Sequence, residues 1–203
     1  MIDVGANIGF YTGIFAALGK TVLALEPIWF NRLYLKTLVS VNAFADRVTI
    51  LPFAAGDSEG PATIYGEQAG ASMVSGFNNF PTGRSRQINV TTLDTVLRKH
   101  DFLRAKRLLF KVDVEGFELS VLQGAREALK MEPKAIWFVE VARVNWEPVI
   151  ALFAGAGFKV AVMFSEEHYE LRRIDDLPAA FPSANLGLGY CNLIFLNDGT
   201  LVS

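Results

Sequence analysis

Strand-length apolar runs alternate with helix-length amphipathic stretches along most of this chain, and that alternation restricts its fold more than any other feature. The runs fall at 22–25, 48–53, 108–112, 135–139, 158–164 and 192–196. Between the first two, Leu33, Tyr34, Thr37, Leu38 and Val41 recur at helical spacing opposite Arg32, Lys36 and Ser40. Phe117, Val121, Leu122, Ala125 and Leu129 mark a second helix, and 148–156 a third. Runs joined through helices need crossover connections, so the expected fold is α/β, with a doubly wound, mostly parallel sheet covered on both faces. The chain length of 203 residues fits one domain spanning 1–203. The segment 56–90, rich in Gly, Ser, Asn and Pro, breaks the rhythm. It is expected to be an irregular insertion or short hairpin, and a candidate substrate cover.

Composition removes several classes of function. Hydrophobic residues make up 51% and charged residues 20%, which excludes a disordered chain. Nineteen Lys and Arg against 21 Asp and Glu leave a net charge of -2, so no basic footprint for nucleic acid exists. The single cysteine, Cys191, rules out an internal disulfide framework and agrees with a reducing compartment, the cytoplasm. The opening Met1-Ile2-Asp3 lacks a basic secretory region, and no apolar stretch reaches the roughly 20 residues of a membrane span. His100 and His168 stand alone, so no metal set is expected.

Four apolar runs lead into a carboxylate: Asp3, Glu26, Asp113 and Glu140. In a parallel sheet the carboxyl ends of the strands share one edge, where ligands bind. Four acids gathered there repel unless the ligand is cationic or offers hydroxyls and amines; taken singly, each could cap the following helix. Gly5-Ala6-Asn7-Ile8-Gly9 follows the first run and opens a helix. Its G-x-N-x-G spacing lacks the glycine that clears a pyrophosphate in G-x-G-x-x-G, so an adenosyl ligand fits better than a dinucleotide. A nicotinamide-dependent oxidoreductase on a related fold is the alternative. Glu26 stands where an acid accepts both ribose hydroxyls. Only Met1 to Val4 precede the turn, against about five or six residues in a typical strand, and the chain reads as a fragment of a longer one.

Lys111 and Asp113, two apart on a strand, share a face. A lysine inside a buried strand needs a partner, and pairing with Asp113 is the structural reading. The functional reading makes Asp113 the group that orients and deprotonates a substrate hydroxyl, with Glu140 the second candidate.

The motifs Asp3-Val4-Gly5-Ala6-Asn7-Ile8-Gly9, Glu26-Pro27, Ala54-Ala55-Gly56-Asp57, Lys111-Val112-Asp113-Val114-Glu115-Gly116-Phe117-Glu118 and Leu122-Gln123-Gly124-Ala125 resemble, in order and spacing, those of FkbM-type S-adenosylmethionine-dependent methyltransferases. The likeness runs from residue 1 to about residue 140. It implies a Rossmann-like class I methyltransferase fold, N-terminally short because the family ordinarily has a helix and strand before the glycine turn. S-adenosyl-L-methionine is the implied cofactor. Asp3, Gly5, Ala6, Asn7 and Gly9 would then hold its methionine portion and Glu26 its ribose, with Ala55 and Asp57 near its adenine amine. Lys111, Asp113 and Glu140 would carry the catalysis. Relatives mostly methylate hydroxyls of sugars or secondary metabolites, which implies a small-molecule or glycan acceptor. A non-catalytic cofactor-binding module is the other alternative. No Asp/Asn-Pro-Pro-aromatic motif follows 108–112, which disfavours amino-group methylation of bases or glutamine.

Overall fold

The computed structural model describes residues 1–66, 71–74, 85–102, 105, 107–164, 169–179 and 189–197. Two β-α units and a third strand open the chain: β1 (Ile2–Val4), α1 (Phe10–Ala17), β2 (Val22–Leu25), α2 (Trp29–Val41) and β3 (Val48–Leu51). A side branch follows, made of β4 (Ala54–Ala55), β5 (Gly60–Tyr65) and β6 (Ser85–Thr91). The chain then returns through α3 (Leu93–Lys99), β7 (Leu109–Val112), α4 (Glu118–Gln123), α5 (Arg126–Leu129), β8 (Ile136–Ala142) and α6 (Trp146–Gly155). It closes with β9 (Val160–Phe164), β10 (Tyr169–Arg173) and β11 (Tyr190–Leu196).

The main sheet has eight strands in the order β10-β9-β11-β8-β7-β1-β2-β3. The stretch from β8 to β3 is parallel throughout, and β11 enters antiparallel between β8 and β9. Strands β1 and β2 are buried at every position, the mark of a central parallel strand covered on both faces. Under α1 and α2, Met1, Ala16, Val22, Val39 and Val48 form one apolar layer. The larger core lies on the opposite face beneath α3 to α6, where Phe110 stacks on Trp137 at 3.9 Å and Phe153 on Phe195 at 3.7 Å. Each such side chain contributes about 1.5–3 kcal/mol on burial.

The architecture agrees with the sequence reading, with three local corrections. The apolar face expected for α2 is turned outward: Leu33, Tyr34 and Val41 are 53%, 52% and 74% exposed, while Asn31, Leu35 and Val39 are buried. Leu35 and Leu38 meet Gly9 and Gly13, and that contact decides which side of a helix apolar nearly all round faces inward. The helix expected over 117–129 is two helices, because a Cβ at Gly124 would stand 1.9 Å from the carbonyl oxygen of Gly56. Strand β8 continues past Glu140, which pairs with Asn192 inside the sheet instead of ending it. Within 56–90 the described residues give β5 and β6 paired antiparallel, as the hairpin alternative has it, with β4 parallel to β6. His168 lies outside the described residues. Among the described residues no helix is long and apolar enough to cross a membrane.

Candidate active site

Backbone geometry builds one half of the site. Directly after β1 the chain turns at Gly5 with φ +76°, and a Cβ there would lie 2.1 Å from the Asp113 carbonyl oxygen. Only glycine lets this turn pack against the loop that follows β7. Asn7 adopts φ 52°, and Gly9, at φ 98°, caps α1. Glu26, buried just past β2, ties the turn in place. Its Oε2 accepts the Asn7 N–H at 2.8 Å, and its Oε1 accepts the Ile28 N–H at 2.8 Å and the Asn31 Nδ2 at 3.3 Å. Burial pushes the Glu26 carboxyl above its usual range. A carboxylate has about four lone-pair sites, so it can accept further hydroxyl donors.

A cavity of about 380 Å³ opens over this turn, within the range of small-molecule sites. Gly5 to Ile8 and Glu26 line it, with the apolar Ile28, Phe53 to Ala55, Ile64, Ala71 and Met73. Lys111, Asp113 and Glu115 give it an acidic end that also touches the turn at Gly5. Apolar lining, a carboxylate with acceptor capacity to spare and further acids are the chemistry that the adenine, ribose and cationic sulfonium of an S-adenosyl nucleoside would need. The residues present fit that group.

Charge dominates the acidic end. The Lys111 ammonium is buried, 3.1 Å from Asp113 Oδ2 and 4.0 Å from Asp3 Oδ1; it donates to the Gly5 carbonyl at 3.3 Å and lies 5.3 Å from the centre of the Tyr11 ring. Asp3 Oδ2 accepts the Thr12 hydroxyl at 2.6 Å, whereas Asp3 Oδ1 has no hydrogen-bond donor among the described residues. Burial raises the Asp3 carboxyl against the pull of Lys111. Beyond Lys111, carboxylate oxygens of Asp113, Glu115 and Glu140 all lie within 4.8 Å of one another, close enough to share a cation. Burial, followed by the charges of Asp113 and Glu115, pushes the Glu140 carboxyl up to about 8. Glu140 therefore retains its proton at neutral pH.

Such mutually repelling groups need a scaffold. Residues 113–117 form a loop in which Glu115 and Gly116 take φ 53° and 91°. Glu118 Oε1 accepts the Gly116 N–H at 2.7 Å, and Oε2 accepts Asn145 Nδ2 at 2.9 Å. Asn145 also donates to the Gly116 carbonyl at 2.8 Å. One buried carboxylate thus fixes the ends of β7 and β8 relative to each other.

Of the residues singled out in the sequence, Gly5, Ala6, Asn7, Glu26, Ala55, Lys111 and Asp113 line the cavity, and Glu140 adjoins it through Asp113. Asp3 and Gly9 sit behind the turn and support it. Asp57 is outside the cavity lining: it is exposed, its Oδ1 accepts the Ser58 hydroxyl, and its N–H donates to Ser120 Oγ. The close contact of Gly56 with Gly124 carries the chain outward there. Sequence reasoning passed over Glu115, Glu118, Asn145, Tyr11 and Ser72. Two of these, Glu115 and Glu118, were visible as acids beside Asp113; no local signal marked the rest.

This sheet order, with a cavity over the glycine turn at the carboxyl ends of β1 and β2, defines a Rossmann-like class I methyltransferase fold. The chain belongs to the FkbM methyltransferase family, since the family model described as the methyltransferase FkbM domain matches residues 3–174. Among solved structures it resembles a methyltransferase FkbM from Methylobacillus flagellatus KT at 18% identity and a TM-score of 0.60, over 97% of this chain and 43% of that one. A ribosomal protein L11 methylase from Lactobacillus delbrueckii subsp. bulgaricus matches at 10% identity and a TM-score of 0.51, over 96% and 67%. The N-terminal domain of human METTL16, solved in complex with SAH, matches at 13% identity and a TM-score of 0.50, over 97% and 60%. No curated protein sequence matches. The chain therefore spans less than half the length of the FkbM structure it resembles.

Proposed function

We propose that this protein uses S-adenosylmethionine to methylate a hydroxyl oxygen, on a sugar or secondary-metabolite acceptor. The observation that carries this reading is the meeting, in one cavity, of the Glu26-braced glycine turn with the Asp113–Glu140 pair. When bound, S-adenosylmethionine supplies an electrophilic methyl group on a sulfonium. Backbone from Gly5 to Asn7 holds the amino-acid portion, Glu26 accepts the ribose hydroxyls, and Ile28 with Ala54 and Ala55 covers the adenine. Lys111 holds the Asp113 carboxylate toward the cavity.

Asp113 would accept a hydrogen bond from the acceptor hydroxyl and orient it, and the deprotonated Glu140 carboxylate beside it would take the hydroxyl proton; bound S-adenosylmethionine would supply the methyl group and leave as S-adenosylhomocysteine. Glu140, held at about 8, keeps a proton at neutral pH and lets it go above that point. The Glu140 carboxylate therefore becomes available as a base, and the transfer rate rises, as pH passes through about 8. Small alcohols and sugars donate to such carboxylates, whereas anionic acceptors are repelled.

Two experiments test the reading. Thermal unfolding with S-adenosylhomocysteine, and separately with NAD, reports which nucleoside the folded state binds. Methyl-labelled S-adenosylmethionine offered with a panel of glycans and lipid-linked sugars reports the acceptor. Stabilisation by S-adenosylhomocysteine together with label on a hydroxyl is the expected result. Stabilisation by NAD alone, or label confined to nitrogen acceptors, contradicts it.

A further inference from the structure

The side branch and the acidic loop meet through one hydroxyl. Ser72 is buried, at 2% exposure. Its backbone exchanges two hydrogen bonds with Tyr65 of β5, at 2.8 and 2.9 Å, which fixes it to the branch. Its Oγ donates to the Glu115 carbonyl at 2.5 Å and accepts the Val74 N–H at 3.0 Å. The residues on either side of it, Ala71 and Met73, line the cavity on the apolar side; Glu115 and Phe117 line it on the acidic side. Glu115 carries the left-handed φ that turns its carboxylate toward Asp113 and Glu140. One hydrogen bond thus spans the two walls.

We propose that Ser72 is a positioning residue that couples the halves of the cleft, so that filling the adenosyl cavity and setting Glu115 beside Asp113 and Glu140 are one event. This rests on the reading of the cavity as the S-adenosyl site. A ligand pressing on Ala71 and Met73 loads the branch, and the Ser72 hydroxyl passes that constraint to the Glu115 backbone. Without the hydroxyl, the part-buried hydrogen bonds that join the Glu115 carbonyl and the Val74 N–H through Ser72 are lost, and the link between the two walls goes with them.

The test uses the whole chain and S-adenosylhomocysteine, with no acceptor. Calorimetry gives affinity, and amide exchange over 113–117 gives the order of the loop with and without ligand. In the wild type, saturating S-adenosylhomocysteine slows exchange over 113–117. Ser72→Ala is expected to bind about tenfold more weakly and, at saturation, to leave exchange over 113–117 as in the unliganded protein. Ser72→Thr, which keeps the hydroxyl, restores both. Met73→Ala, which trims the wall and spares the hydroxyl, weakens binding but keeps the ligand-dependent protection. Wild-type affinity and protection in Ser72→Ala overturn the proposal. So does weakened affinity with protection preserved at saturation, which leaves the hydroxyl a purely structural part. If the wild type itself fails to bind, the cofactor reading falls first.

Discussion

The two ends of the cleft are built by different means. At the glycine turn, main-chain groups do the work: residues 5 to 9 are contiguous, and Glu26 secures them by accepting backbone N–H groups. At the acidic end, side chains from β7, β8 and the loop between them converge against their own repulsion, and buried polar contacts from Glu118, Asn145 and Ser72 hold them there. Binding a nucleoside needs only a rigid backbone cradle. Taking a proton from a hydroxyl needs charges forced together, and the fold has to supply the restraint.

The largest expected effect separates the ends by function. Asp113→Asn should lower turnover about 10²- to 10⁴-fold while S-adenosylhomocysteine affinity, set at the other end, stays close to wild type. Parallel losses in steady-state kinetics and calorimetry would erase the distinction. Next comes the backbone cradle. Gly5→Ala places a Cβ against the Asp113 carbonyl at a positive φ and should cost about 3 kcal/mol or more by denaturant unfolding. Gly19→Ala, also at positive φ but with open space around it, should cost only about 1–2 kcal/mol. Equal costs would mean that the contact with Asp113 is unimportant.

A smaller effect probes the restraint. Glu118→Gln sets its amide against the Asn145 amide and should destabilise by about 1.5–3 kcal/mol, lowering turnover more than S-adenosylhomocysteine binding. Turnover at the wild-type level would show that the acidic end needs no such brace. The gentlest test is by pH. Glu140 holds a proton up to about 8 when folded, against 4.5 as its ordinary value. Between those limits the folded state binds more protons than the unfolded chain, so stability falls as pH rises through that window. Glu140→Gln should flatten this fall and also the rise in methyl transfer near pH 8. A profile unchanged in the variant would assign the proton to another group.

The same contrast explains what could be read from the chain. The glycine turn, Glu26 and the strand-end position of Asp113 were legible because each is local: a short motif, or the residue that closes an apolar run. The parallel core of the sheet followed from the alternation of runs and helices. The acidic end was legible only as isolated acids, since Asn145 lies 27 residues from Glu118 and Ser72 lies 43 from Glu115, separations that no periodicity records. The buried side of α2 escaped for a related reason. Where both faces of a helix are apolar, the partner decides, and here it is Gly9 and Gly13 of α1. The exposure of Asp57 was not legible either, since its neighbour Gly56 packs against Gly124, far away in sequence.

The account stands most squarely on Glu26, the one carboxylate that braces the turn and faces the cavity. Titrating S-adenosylhomocysteine into the wild-type chain and into Glu26→Gln, with calorimetric detection, addresses it in a single experiment. One molecule bound per wild-type chain and affinity lowered at least about tenfold in the variant is the predicted outcome. Equal affinity in both proteins, or no heat in either, would contradict it.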